Sequence, residues 1–185
     1  MQKDAEQLLV DEIMGMKDDF HKLVLFLFPW GEKGTPLEGH SLEDWQKEYL
    51  IEVSEQIKKN GFDGFNPVKA IKKATASGHG IGKSALVAML VYCIISTRPM
   101  CRGTVTANTF QQLKTKTFAE LAKWHNMSIN NHWFEFSGSA LRLCAKDETL
   151  KDVWYVQGQT CREEPELCAD IDVLILPKNS LIPSY

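Results

Sequence analysis

The sequence predicts an α/β fold, a parallel sheet flanked by helices and built around one glycine-rich turn. Three observations predict it. Residues 77–84 read Ser-Gly-His-Gly-Ile-Gly-Lys-Ser, a turn with a basic exit. Ahead of them Val68 to Ala76 alternates well enough for a strand, although Lys72 and Lys73 interrupt the alternation. Behind them Ser84 to Ser96 is an apolar run without Gly or Pro, of a length that suits a buried helix. Strand and helix signals then continue to alternate, which favours parallel strands joined by helices.

Taken in order, Gln2 to Phe28 places Leu8, Leu9, Ile13, Met16, Phe20, Leu23 and Leu27 at roughly helical spacing, and predicts one helix. Pro29-Trp30-Gly31 and Gly34-Thr35-Pro36 break it and open a loop to about Gly39. Ser41 with Asp44 three residues on resembles a capping box, opening a second helix that Asn60-Gly61 stops. Arg98-Pro99 ends the helix behind the glycine turn. Gly103 to Ala107 reads as a strand, Phe110 to Trp124 as a helix, and Asn131 to Phe136, Ala140 to Ala145 and Val153 to Gln157 as short strands. Val173 to Leu176 is a last apolar run closed by Pro177.

The turn carries the chemistry. Gly82-Lys83-Ser84 is the ending of a P-loop, in which backbone N–H groups cradle phosphates, the lysine reaches the β and γ oxygens, and the hydroxyl faces Mg²⁺. Ser77 stands where the strict pattern has its first glycine, with Gly78 and Gly80 supplying flexibility around His79 and Ile81. A strand, a glycine turn and a helix in that order aim the helix N-terminus at an anion. The expected ligand set is therefore Ser77 through Ser84, with Lys83 as phosphate clamp and Ser84 as metal ligand. A plain turn with a solvated Lys83 is the alternative.

Composition narrows the class. At 185 residues, 44% hydrophobic and 24% charged, the chain suits one globular domain. No charge-free stretch reaches membrane-spanning length, and the acidic, polar start is unlike a signal peptide. Cys93, Cys101, Cys144, Cys161 and Cys168 form no C-x-x-C pair, which argues against a zinc site or disulfide framework and for reduced thiols in a cytoplasm. Charge is partitioned: residues 1–57 hold 5 Lys/Arg against 13 Asp/Glu, residues 58–125 hold 11 against 2, and residues 126–185 hold 5 against 9. Positive charge thus gathers in the block around the turn, either converging on an anion or as a solvated lysine face.

Two further roles are looked for. Gln46 offers a donor and an acceptor together, the pairing that suits adenine N6 and N7, against the plainer reading of a solvated helix amide. Hydrolysis needs a carboxylate behind Mg²⁺ and an acid to align water. Val173 to Leu176 ends in Pro177-Lys178, and Asp170 and Asp172 precede it at the wrong end, so no catalytic acid is identified and no useful turnover is expected. Trp124, Trp133 and Trp154 read as packing residues, and His21, His40, His125 and His132 as structural or surface ones.

Three segments together resemble the N-terminal ATPase half of the large terminase subunit, the DNA-packaging motor of tailed bacteriophages. FPWGEKGTPLEGHSLEDWQKEYL (Phe28 to Leu50) is similar to its opening segment, ATASGHGIGKSALVAML (Ala74 to Leu90) to its variant P-loop, and TVTANTFQQLKTKTFAEL (Thr104 to Leu121) to the strand and helix that follow. The resemblance spans about residues 25–165. It implies a RecA-like (ASCE) P-loop NTPase sheet, incomplete at the C-terminus, with ATP and Mg²⁺ bound and Trp45-Gln46 holding adenine. It also implies double-stranded DNA, a portal protein and a small terminase subunit as partners, a bacterial host cytoplasm, and a homo-oligomer in the full-length family. The chain then divides into an N-terminal helix and loop (1–40), a P-loop core (41–165) and a divergent tail (166–185). The tail lacks the family's Asp-Glu strand end, and the nuclease domain is missing from the chain, the pattern of a truncated prophage gene. A catalytically dead remnant with weak phosphate binding, or another helicase-like P-loop NTPase, are the competing expectations.

Overall fold

The computed structural model describes residues 2–73, 80–107 and 109–160, without the side chains of residues 2–4. Its elements run α1 (Gln2–Gly15), α2 (Phe20–Leu27), α3 (Asp44–Asn60), α4 (Lys83–Thr97), β1 (Arg102–Ala107), a short α5 (Phe110–Gln112), a π-helical turn (Leu113–Thr117), α6 (Phe118–Met127), a 3₁₀ turn (Asn131–Trp133), β2 (Phe134–Ser137), β3 (Arg142–Ala145) and β4 (Tyr155–Thr160). The result is a mixed α/β fold with a small four-stranded sheet in the order β1-β4-β3-β2.

The expected all-parallel sheet is corrected. β1 and β4 pair in parallel, whereas β4 with β3 and β3 with β2 pair antiparallel. Connection length decides this. Four residues join β2 to β3 and nine join β3 to β4, too few for the crossover of a dozen or more that a parallel pair requires. Of the paired strands, only β1 and β4 are separated by enough chain, which includes α6.

α4 is the centre of the molecule. It is apolar all round, and Leu86, Met89, Tyr92, Cys93 and Ile95 are each almost fully buried. It touches α1 and α2 as well as α6 and β4. Trp154, just before β4, donates its indole N–H to the Ile95 carbonyl at 2.9 Å, fixing the end of α4 to the start of β4. Trp124 stacks edge-on against Phe28 and tilts against Trp30, and His125 bonds to the Tyr92 hydroxyl and stacks on Phe136. The packing expected of Trp124 and Trp154 is what these contacts give.

Three local expectations are also corrected. The first helix is two, because the Asp19 carboxylate accepts from the Lys22 N–H at 3.1 Å and starts α2 afresh, while Ser54 Oγ accepts from the Phe20 N–H at 2.9 Å. The capping box of α3 is Glu43 with Gln46, not Ser41 with Asp44, since the reciprocal bond needs a long amide or acid at the third helical position. Residues 68–73 are not a strand. They are drawn to α3 instead: Asn60 donates to the Lys69 carbonyl at 2.8 Å, Lys73 pairs with Glu52 and lies over the Tyr49 ring, and Ile71 packs on the core. Residues 74–79 and the tail from residue 161, with Asp170, Asp172, Val173 to Leu176, Cys161 and Cys168, lie outside the described residues.

Candidate phosphate-binding site

Gly82 is the N-cap of α4, in the left-handed conformation at φ 86° and ψ 20°, and Gly80 two residues earlier also has positive φ at 83°. Glycine is the residue that reaches this region without steric cost. It also has no side chain with which to cap. Any α-helix leaves its first N–H groups without an acceptor inside the helix, and that end carries a partial positive charge. The Gly82 carbonyl accepts the first helical bond, from the Leu86 N–H at 3.0 Å.

A cavity of about 230 Å³ lies over this turn, lined by Gly80, Gly82, Lys83, Ser84, Ala85 and Glu120. Its place in the sheet follows from two contacts. Trp154 ties the far end of α4 to the start of β4, so the Gly82 end points the other way. A Cβ on Gly158, late in β4, would meet Phe118 at 2.8 Å, which sets the first turn of α6 and hence Glu120 near the exit of that strand. Ligands of parallel strands bind beyond their carboxyl ends, and β1 and β4 are the parallel pair.

The expected ligands separate as follows. Gly80, Gly82, Lys83 and Ser84 border one cavity, Ser84 exposed and Lys83 half-buried. Ile81 is exposed and does not line it, and Ser77, Gly78 and His79 lie outside the described residues. Gln46 is only 5% exposed, so it is not a solvated amide. Its Oε1 accepts from the Glu43 N–H and its Nε2 donates to the Gly82 carbonyl, each at 3.2 Å. The amide ties the start of α3 to the start of α4, with one donor hydrogen and one lone pair left for any other partner. Trp45 beside it is half-buried and packs on the core.

Of the basic block, Lys83 faces the cavity. Lys73 faces α3, and Lys58 and Lys59 sit in the last turn of α3, where cations complement the helix dipole. Glu120 is the residue that sequence reasoning missed. One signal was available: it is one of only two acids among residues 58–125.

Among the described residues no group of three or more His, Cys, Asp or Glu is placed to hold a metal ion, and no helix is long and apolar enough to cross a membrane. Cys93, Cys101 and Cys144 are buried free thiols, and burial pushes the Cys101 thiol up to about 12. No protein-family model, curated protein or solved structure matches the chain.

Proposed function

We propose that this chain binds the phosphates of ATP, with Mg²⁺, at the start of α4, as the nucleotide-binding part of a DNA-packaging ATPase of the terminase large-subunit kind. The observation that carries the reading is the cavity bordered at once by the Gly82 turn, Lys83 and Ser84. Its about 230 Å³ is smaller than the roughly 300–1,000 Å³ of sites that enclose whole ligands. It suits a phosphate chain more than a complete nucleotide. The RecA-like fold, the DNA, portal and small-subunit partners, and the host cytoplasm rest on the resemblance of the three segments.

Each residue has a chemical part. The first-turn N–H groups donate to phosphate oxygens, with the helix dipole adding to the attraction. Lys83 supplies a point charge for the terminal phosphates, and the Ser84 hydroxyl offers an oxygen to a hard cation. Mg²⁺, when bound, neutralises charge on the phosphates. Gln46 keeps the turn in register by holding the Gly82 carbonyl.

Lys83→Ala is expected to weaken ATP binding by about tenfold or more, each tenfold being about 1.4 kcal/mol. Titration calorimetry with ATP and with inorganic tripolyphosphate checks it, and the same loss should appear with both. Equal binding by wild type and variant would remove the phosphate assignment. Loss with ATP alone would move Lys83 from the phosphates to the nucleoside.

A further inference from the structure

We propose that Glu120 is the carboxylate that makes phosphate binding in this cavity depend on a divalent cation. The proposal rests on the phosphate reading above and extends it to a residue on a different helix. Glu120 borders the same cavity as Lys83 and Ser84, facing the turn from α6. It lies outside the glycine motif altogether, thirty-six positions beyond Ser84.

Its placement is held from beneath. Glu120 Oε1 accepts from the Trp124 indole N–H at 2.8 Å, one helical turn along α6. Trp124 is 4% exposed and wedged against Phe28 and Trp30, so the donor has a fixed position. Lys123 Nζ stands 3.8 Å from the same oxygen and is itself largely exposed, so the Glu120 charge is only weakly compensated. The carboxylate side chain is 27% exposed, open to the cavity while anchored at one oxygen.

Electrostatics then gives the consequence. A polyphosphate brought to the Gly82 turn shares the cavity with a carboxylate, and two anions repel. A hard divalent cation reverses the sign, because both anions become its ligands. Mg²⁺ is ordinarily held by one or two carboxylates plus substrate phosphates and keeps several waters. Glu120, the Ser84 hydroxyl and the phosphates meet that requirement without an all-protein cage. In the absence of cation Glu120 should act against binding, and in its presence for it.

The test is ATP titration of the full chain in excess Mg²⁺ and in chelator, for wild type, Glu120→Gln and Glu120→Asp. Gln keeps an oxygen for the Trp124 N–H and so preserves the local packing. Wild type should bind about tenfold more tightly with Mg²⁺, within the ordinary range of coupling between two ligands. Glu120→Gln should bind metal-free ATP more tightly than wild type and lose most of the Mg²⁺ effect, and Glu120→Asp should keep it. A Mg²⁺ ratio in Glu120→Gln equal to wild type, with Lys83→Ala still impaired, would overturn the Glu120 proposal and leave the phosphate site standing. No binding by wild type under either condition would overturn both.

Discussion

Arg98→Ala should cost about 2–5 kcal/mol of stability, the range for truncating a large buried side chain. Arg98 follows the last turn of α4 and is 1% exposed. One of its terminal nitrogens donates to the Lys17 carbonyl at 3.0 Å and to the Thr97 carbonyl at 3.3 Å. The other donates to Asp18 Oδ1 at 2.7 Å and to the Phe62 carbonyl at 2.9 Å. The guanidinium also lies 5.1 Å over the Phe62 ring. A Cβ on Gly64, itself at positive φ, would stand 3.2 Å from the arginine stem. One side chain therefore joins the link between α1 and α2, the end of α4 and the loop after α3.

Truncation would leave those carbonyls without their donor and open a cavity where the stem packs, whereas the Asp18 carboxylate, 36% exposed, turns to water. Burial pulls the guanidinium pKa down and Asp18 opposes it, but an arginine stays charged. Lysine is no substitute, because a single ammonium does not reproduce the planar fork that reaches separate acceptors. Urea unfolding measures the effect. Domains of this size have about 5–15 kcal/mol in total, so the midpoint should fall by about an eighth or more. A loss under about 1 kcal/mol would show that the surrounding segments hold together without it.

Gly82→Ala should weaken phosphate binding by about tenfold or more, each tenfold being about 1.4 kcal/mol. Two strains add. A residue with a Cβ pays about 1–2 kcal/mol in the left-handed region that Gly82 occupies. The new Cβ would also lie 2.8 Å from Gln46 Nε2, and Gln46 cannot retreat freely because its Oε1 is held by the Glu43 N–H. The turn must shift, and the N–H cradle shifts with it. The double variant Gln46→Ala, Gly82→Ala removes the clash but keeps the backbone strain, so it should recover part of the binding. Tripolyphosphate titration of wild type and the two variants checks this. Wild-type affinity in Gly82→Ala would show that the turn geometry is not needed for the anion.

Much of this was legible in the sequence where one physical signal dominated. The apolar run behind Gly82 has a length that favours a buried helix over a strand, and α4 is one. The misreadings have specific causes. Val68 to Ala76 alternates well enough for a strand, but in its described part Ile71 packs against the core while Lys73 turns to Glu52 on α3. The break before α2 was hidden because Asp19 looks like any acid of an amphipathic helix until its carboxylate is seen to cap. Strand direction could have been inferred from the short links around β3. At the site, the turn announced itself, whereas Gln46 and Glu120 reach it only through tertiary packing. No local pattern encodes that.

The parallel pairing of β1 with β4 also sets an order of assembly. Ser137 and Arg142 are partners five positions apart, while Arg102 and Tyr155 are partners fifty-three apart. Closing the longer loop costs about 2 kcal/mol more in chain entropy. The β2–β3 hairpin should therefore form early, take on β4 next, and wait for β1. Leu143→Ala should slow refolding, whereas Val105→Ala should mainly speed unfolding, as stopped-flow chevrons would read. Equal slowing by both would place β1 in the early nucleus. Until β1 arrives, β4 offers an open edge that in the finished sheet is interior. Such an edge invites pairing with another chain. The strand that docks last on β4 is then also what protects that edge during folding, and the time spent without it should govern the yield of folded protein.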